Sequence, residues 1–118
     1  MKTRRESDLL RACLQYLQCL ENNKTIRYVD RLNSGSIFIP NQGRKGGRRI
    51  RLCRAGTPDI MVVLNDGGMV WVECKSDTGT QEDTQGEFER MISQVPGHYY
   101  LIIRTSDMLE EFIQKMRG

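Results

Sequence analysis

The sequence lacks the residue patterns of zinc-binding, disulfide-stabilised and membrane-spanning proteins. Its four cysteines form no C-x-x-C pair, and no second histidine accompanies His98 at the spacing of zinc ligands. No apolar run approaches the roughly 20 residues that a membrane span needs, and residues 1–8 are too polar for a signal peptide. These absences predict a reduced protein of the cytoplasm without a disulfide framework or a membrane partner.

Acidic residues are also missing from one stretch, between Asn41 and Arg54. The net charge of +3 is only mildly basic, but six basic side chains fall within this stretch. Such a cluster is typical of segments that bind the phosphates of DNA, and the alternative is a solvated, flexible loop. The six candidate DNA-binding residues are Arg44, Lys45, Arg48, Arg49, Arg51 and Arg54.

The chain of 118 residues fits one domain, spanning residues 1–118. Hydrophobic periodicity and turn residues predict alternating helices and strands. The predicted helices cover residues 3–22, 81–94 and 107–116, the first and last opened by capping boxes at Thr3 and Asp107; the predicted strands lie within 26–33, 37–39, 49–53, 60–64, 69–75 and 98–104. This pattern predicts an α/β or α+β domain with a mixed β-sheet flanked by helices.

Charged residues end a strand that is otherwise suited to burial. Alternation along residues 69–75 places Trp71, Glu73 and Lys75 on one face. We expect this strand to pair antiparallel with residues 60–64 around a turn at residues 66–68. The numbers of paired residues then sum to 133 or 134, so Asp59 lies opposite positions 74–75. Two carboxylates and an ammonium at one place could bind a hard divalent cation. The alternatives are a solvated salt bridge between Glu73 and Lys75, and a turn role for Asp59.

Two further polar residues lie on the apolar faces of predicted helices, near the helix N-termini. Glu6 precedes the apolar residues of the first helix by helical spacing, and Gln85 does the same in the second. Both could extend into a cleft at the edge of the sheet. Glu6 could instead be only the capping-box partner of Thr3, and Gln85 only an exposed residue at a frayed helix start. His98 is predicted to be a surface residue at the start of a strand, without a role.

The spacing of these residues resembles a known nuclease signature. Pro58-Asp59 is followed, after thirteen residues, by Glu73-Cys74-Lys75, which has the form P-D…E-x-K of the restriction-endonuclease-like superfamily. The wider pattern is similar to that of the VRR-NUC family of virus-type replication-repair nucleases, between Glu6 and about Arg104. Its members in this chain are Gly56-Thr57-Pro58-Asp59, Glu73-Cys74-Lys75-Ser76, Gly79, Gln85 and an N-terminal helix carrying Glu6.

The resemblance implies a restriction-endonuclease-like core with the order α-β-β-β-α-β-α and hydrolysis of DNA phosphodiester bonds with Mg²⁺ or Mn²⁺. Asp59 and Glu73 would be metal ligands together with the backbone carbonyl of Cys74, and Glu6 would complete the metal site. Lys75 would position or activate the attacking water, and Gln85 would orient the lysine or the water. The short length resembles stand-alone phage and bacterial members.

Further expectations concern the substrate and the partners. Small family members often act as dimers and are similar to Holliday-junction resolvases. The chain is therefore expected to be a structure-selective endonuclease of branched or junction DNA in replication, repair or recombination, acting as a homodimer in the cytoplasm of a bacterial or phage-infected cell. One alternative is a non-catalytic DNA-binding protein on a nuclease-like fold, supported by the basic segment. A second is a homodimeric interaction protein that uses its apolar helix faces.

Overall fold

The helices and strands follow the predicted alternation, with one hairpin inserted into the core order. A computed structural model of the chain describes residues 2–32 and 35–117, so the predicted strand end at Asn33 lies outside the described residues. The elements are α1 (Arg4–Asn22), β1 (Tyr28–Arg31), β2 (Ser36–Pro40), β3 (Gly47–Arg51), β4 (Ile60–Val63), β5 (Met69–Cys74), α2 (Asp83–Ser93), β6 (His98–Ile103) and α3 (Ser106–Arg117). Within the described ranges, no helix combines the length and the apolar character that crossing a bilayer requires.

Four strands form a mixed sheet in the order β1-β4-β5-β6. β4 pairs antiparallel with both β1 and β5, whereas β6 pairs parallel with β5. Val70 and Val72 of β5 face the core formed with α1 and α3, while Trp71 faces the other way and contacts Phe88 of α2 at 5.2 Å between ring centroids. The prediction of a mixed sheet flanked by helices is confirmed.

The capping box predicted at the start of α1 is present. The Thr3 hydroxyl accepts from the Glu6 N–H at 3.1 Å, and the Glu6 carboxylate accepts from the Thr3 N–H at 3.0 Å. The capping box predicted at Asp107 is wrong, because α3 begins at Ser106 and Asp107 lies inside its first turn. Local spacing gave the correct helix there but not its first residue.

β2 and β3 form a separate two-stranded antiparallel sheet. All their residues are exposed except Ile50, which is half-buried. The radius of gyration is 16.0 Å, against about 13.5 Å for a compact domain of this length, because this hairpin extends away from the sheet. Without it, the order of the core elements is α-β-β-β-α-β-α, as predicted.

The register of the β4–β5 hairpin differs from the predicted one. Ile60 pairs with Val72 and Met61 with Trp71, so paired residue numbers sum to 132. The connection runs from Leu64 to Gly68 and is longer than the predicted turn, because the Leu64 N–H donates to the Gly68 carbonyl and closes the loop there. The Asn65 side chain in this loop donates to two backbone carbonyls before β1. The shift moves Asp59 from the predicted place opposite positions 74–75 to one opposite Glu73.

Candidate metal-binding and catalytic site

Two carboxylates meet where β4 begins and β5 ends. Asp59 directly precedes β4, and its backbone N–H donates to the Val72 carbonyl at 2.9 Å. One Asp59 carboxylate oxygen, Oδ2, accepts from the Cys74 N–H at 2.8 Å, which fixes this side chain against the end of β5. Glu73 is 1% exposed, and Lys75 is 7% exposed. The alternative of a solvated salt bridge between Glu73 and Lys75 is therefore wrong.

Lys2 inserts its ammonium between the two carboxylates. Its Nζ lies 2.8 Å from Asp59 Oδ2 and 2.5 Å from both Glu73 Oε2 and the backbone oxygen of Cys74. A cation is thus bound by three oxygens, one each from Asp59, Glu73 and Cys74. Lys2 was not among the predicted site residues, because it precedes the first helix and no spacing in the sequence relates it to β5. One feature of the sequence indicated its position indirectly. Glu6 was predicted to lie on the buried face at the start of α1, which brings the residues before this helix close to the cleft.

The oxygens around the Lys2 ammonium also suit a divalent metal ion. Hard cations such as Mg²⁺ prefer oxygen ligands and bind through one or two carboxylates together with water and substrate phosphate. In residues 2–32 and 35–117, no cluster of three or more His, Cys, Asp or Glu side chains could hold a metal. The oxygens that meet at one point in the site are the carboxylates of Asp59 and Glu73 and the carbonyl of Cys74, and these are the donors that a hard cation could use there.

The charges at the site oppose one another. Burial and the neighbouring Asp59 carboxylate raise the pKa of Glu73 to about 7, although Lys2 and Lys75 act in the other direction. Burial lowers the pKa of Lys2, but hydrogen bonds and charge interactions with Asp59 and Glu73 outweigh it and raise the pKa above its usual value. Lys75 Nζ lies 3.8 Å from Glu73 Oε2. The two carboxylates are thus matched by two lysine ammonium groups at the same site.

Glu6 holds the start of α1 against the loop that follows β5. One oxygen accepts from the Thr3 N–H, and the other accepts from the Ser76 N–H at 3.0 Å. Burial raises the pKa of Glu6, but these backbone hydrogen bonds outweigh it and lower the pKa. A Cβ on Gly79 would come within 3.1 Å of the Glu6 carboxylate, so glycine there permits the close approach. Glu6 is thus both a capping residue and a neighbour of the site.

Gln85 lies near the start of α2 and also lines the site. Its side-chain oxygen accepts from the Glu82 N–H at 2.9 Å, which caps the helix. It is half-buried and lines a cavity of about 500 Å³ that also contains Lys2, Glu6, Asp59, Glu73 and Lys75. All five predicted polar residues of the site therefore line one cavity.

The six basic residues are exposed and are divided between the hairpin and the segment that follows it. Arg44 and Lys45 lie in the β2–β3 turn, whereas Arg54 follows β3 and lies 3.9 Å from the Met91 sulfur of α2. Arg51 lines the cavity of the carboxylates. The remaining two, Arg48 and Arg49, lie on β3. A strand carries half of the set, which excludes the alternative of a wholly flexible loop.

Arg104 was not predicted to contribute to this region, and His98 differs from its prediction. Arg104 follows β6, and its guanidinium donates to the carbonyls of Ser76 at 2.5 Å and Gly79 at 2.8 Å, holding the loop after β5 in place. His98 was predicted to be a surface residue without a role, but it is half-buried and its Nδ1 accepts from the Trp71 indole N–H at 3.1 Å. A parallel neighbour strand, which sequence spacing did not reveal, brings His98 beside Trp71.

The raised pKa of Glu73 predicts a pH-dependent stability of the metal-free protein. The folded protein holds this proton more tightly than the unfolded chain, whose carboxyl has its usual pKa of 4.5. The contribution to stability is therefore complete below about pH 4.5 and is lost as the pH rises through about 7. We expect the unfolding free energy, measured by urea titration, to fall by on the order of 2–3 kcal/mol across this window relative to Glu73→Gln. Parallel pH profiles of the two proteins would contradict this prediction.

Comparison with known proteins identifies the fold. No protein-family profile matches the sequence, and no curated protein matches it either. A solved structure described as a VRR_NUC domain superposes with a TM-score of 0.57, covers 95% of this chain and 97% of its own, and is 15% identical in sequence. The resemblance inferred from Pro58-Asp59 and Glu73-Cys74-Lys75 is thus confirmed at the level of the fold. The chain has the mixed-sheet, nuclease-like fold of a VRR-NUC domain.

Proposed function

We propose that the chain is a Mg²⁺- or Mn²⁺-dependent deoxyribonuclease that hydrolyses phosphodiester bonds. The observation that carries the proposal is the set of three oxygens around the Lys2 ammonium, from Asp59, Glu73 and Cys74, with the buried Lys75 beside them. On a VRR-NUC fold, this is an arrangement that can hold a cation against a phosphate. A non-catalytic DNA-binding protein would have no need of a buried, charged cluster that costs desolvation energy.

The proposed roles follow from what each group can bind. The Asp59 and Glu73 carboxylates and the Cys74 carbonyl would hold the metal ion. A divalent ion held by these residues would stabilise the negative charge of phosphodiester hydrolysis and would lower the pKa of the attacking water. Cys74 contributes its carbonyl without exposing its thiol, which is buried in the core. Hydrogen bonding of Asp59 Oδ2 to the Cys74 N–H keeps the ligands in a fixed relative position.

Lys75 would donate a hydrogen bond to the water or to the phosphate oxygens. Its side chain is buried and carries a positive charge near the carboxylates, so it is held in place where charge develops. Gln85 lines the same cavity and would orient the water or Lys75. Glu6 would act through the loop it binds at Ser76, and through water on the metal. We assign Glu6 the positioning role that its two backbone hydrogen bonds support.

The substrate would be DNA held through its phosphates by the basic residues of the β2–β3 hairpin and Arg54. Branched or junction DNA and a homodimer remain part of the proposal, since a two-fold enzyme suits a symmetric four-way junction. Repair or recombination in a bacterial or phage-infected cell would supply such substrates. Sedimentation at the working concentration tests the dimer, and a monomer alone would contradict it.

Removing Lys2 is expected to tighten metal binding. In the wild-type protein, an incoming divalent ion must displace an ammonium that pairs with both carboxylates. Lys2→Met removes this competitor, and we expect the Kd for Mn²⁺, measured by calorimetry, to fall by about tenfold, equivalent to about 1.4 kcal/mol. Arg5→Met, which removes an exposed charge from the first turn of α1, is the matched control. A Kd that is unchanged or larger in Lys2→Met would contradict the prediction.

A panel of substrates tests the proposed activity. Single-stranded, linear duplex, flapped and four-way junction DNAs are incubated with Mg²⁺, Mn²⁺, Ca²⁺ or EDTA. We expect cleavage with Mg²⁺ or Mn²⁺, none with EDTA, and the highest rate on a branched substrate, because the projecting hairpin suits a substrate that is not a simple rod. Binding without cleavage under every condition would favour the non-catalytic alternative. Dimerisation without any DNA binding would favour the interaction protein.

A further inference from the structure

The β2–β3 hairpin has two chemically different faces. Cross-strand pairs are Ser36 with Arg51, Ile37 with Ile50, and Phe38 with Arg49. Because side chains alternate along each strand, Phe38, Arg49 and Arg51 share one face. The opposite face carries Ile37, Ile39, Ile50 and Arg48. The basic residues of the hairpin are therefore not equivalent, although their charge alone does not distinguish them.

The aromatic and basic face is continuous with the catalytic cavity. Arg51 lines that cavity together with Asp59, Glu73 and Lys75. An adjoining depression of about 350 Å³ is lined by Arg49, Arg51 and Ser36. Arg51 and Arg49 of β3 therefore lie at increasing distance from the carboxylates on one face of the hairpin. A phosphate chain that passes the carboxylates meets Arg51 first and Arg49 second.

Phe38 lies on the same face at the level of Arg49, with which it pairs, and therefore further from the cavity than Arg51. It is 51% exposed, an unusual position for a phenylalanine on a small soluble domain. A Cβ on Gly47 would come within 2.6 Å of the ring, so glycine at this position lets the ring lie against the neighbouring strand. Directly opposed residues have Cβ atoms about 5 Å apart, so the side chains of Phe38 and Arg49 leave the same face of the hairpin as neighbours. Aromatic rings flanked by basic side chains bind nucleotides by stacking a base while the charges hold its phosphate.

We infer that this face, Phe38 with Arg49 and Arg51, binds an unpaired strand of DNA adjoining the phosphate that is cut. Arg51 and Arg49 bind successive backbone phosphates, and an unstacked base rests on Phe38. A base inside a duplex is stacked on its neighbours and has no free face for Phe38. Among the proposed branched substrates, those with single-stranded character next to the cleavage position, such as a flapped DNA, are therefore favoured over a fully paired four-way junction. This inference rests on the proposed function for the location of the cut, but the binding does not require cleavage.

The isoleucine face serves as the internal control for the hairpin. Ile39 lies next to Phe38 in sequence, is 36% exposed and faces the other way. If the hairpin contributed to DNA binding by contacting a second copy of the chain through its isoleucines, Ile39→Ala would weaken DNA binding more than Phe38→Ala. If Phe38 stacks on a base, Phe38→Ala weakens the binding of single-stranded DNA more than Ile39→Ala. The two substitutions remove exposed apolar side chains from one strand, so they differ mainly in the face that they alter.

The experiment measures binding without cleavage. Fluorescence anisotropy in EDTA compares a labelled single-stranded oligonucleotide with a blunt duplex of the same length, for the wild-type protein and for variants whose thermal unfolding is unchanged. We expect the single strand to bind more tightly than the duplex. Phe38→Ala should weaken single-strand binding by about 5- to 150-fold, the equivalent of one stacked base, and duplex binding much less. Ile39→Ala should leave both unchanged.

The charged residues give a second, independent measurement. Arg51→Ala should weaken single-strand binding and reduce the slope of log affinity against log salt by about 0.7, because one phosphate contact is lost. Arg48→Ala, on the isoleucine face, should lower the affinity for single-stranded DNA less than Arg51→Ala. Lys115→Ala, on α3 and outside the hairpin, is the control for the loss of one positive charge. Equal effects of Phe38→Ala and Ile39→Ala, or duplex binding as tight as single-strand binding, would overturn the inference. Because EDTA prevents cleavage, an inactive protein in the substrate panel would leave this result intact.

Discussion

Asp59→Asn and Lys75→Met are each expected to lower the rate of DNA cleavage by at least about 10²-fold, for different reasons. Asparagine keeps an oxygen that can accept from the Cys74 N–H, as Asp59 Oδ2 does at 2.8 Å. The fold at the end of β5 is therefore preserved, while one of the two carboxylates that would hold the metal is lost. We expect the Kd for Mn²⁺ to rise together with the loss of cleavage, and high Mn²⁺ to restore part of the rate.

Lys75→Met retains both carboxylates and the unbranched shape of the side chain. Lys75 Nζ lies 3.8 Å from Glu73 Oε2, so its removal eliminates a nearby positive charge without removing a metal donor. We expect kcat to fall while the Kd for Mn²⁺ stays the same or decreases, since a repulsive charge has been removed. Calorimetry and single-turnover cleavage separate the two variants. Lys115→Met on α3 is the control for loss of an exposed lysine, and wild-type cleavage by Asp59→Asn or Lys75→Met would reject the catalytic assignment.

Gly56→Ala is expected to be the most destabilising single-methyl change near the site. Gly56 has φ +87°, and a Cβ there would lie 2.2 Å from the backbone oxygen of Thr84, at the start of α2. The neighbour is backbone and cannot rotate away, so either the segment before Asp59 or the start of α2 must move. We expect a loss of about 2–4 kcal/mol in unfolding free energy by urea titration, with reduced cleavage because Gln85 moves with the helix.

Gly67→Ala provides the matched control. Gly67 also has a positive φ, +93°, but a Cβ there meets no atom within 4 Å. This substitution carries only the cost of left-handed backbone, about 1–2 kcal/mol. The difference between the two variants therefore isolates the contact between Gly56 and Thr84. Equal destabilisation of Gly56→Ala and Gly67→Ala would show that the close approach contributes nothing.

Much of the site was predictable because strands impose a two-residue period. Alternation along β5 placed Glu73 and Lys75 on one face, and the hairpin turn brought Asp59 to the same end. The exact register was not predictable from the turn residues, and the Asn65 side chain in this connection donates to backbone carbonyls 41 and 40 residues away in sequence, at Lys24 and Thr25. Burial of Cys13 and Cys74 followed from their apolar surroundings.

Lys2 and Arg104 could not be predicted, since both act across distant elements. Lys2 reaches Glu73 across 71 positions, and Arg104 reaches Ser76 across 28. Neither residue interrupts an apolar pattern, so neither stands out as a polar residue in a buried position. The same limit applies to His98, which depends on parallel pairing of β5 with β6. Sequence periodicity predicts which faces are buried, but not which long side chains bridge them.

The central position of β5 has a consequence for folding. The backbone N–H of Lys75 donates to the carbonyl of Ile103 at 2.9 Å, and Glu73 and Cys74 pair with the last residues of β6. The oxygens of the site thus reach their final geometry only after residue 103 has been synthesised and added to the sheet. Contacts of such long sequence separation form late in folding. A partly made or partly folded chain would therefore carry the basic hairpin without a finished site, so the proposed DNA binding would precede the proposed cleavage.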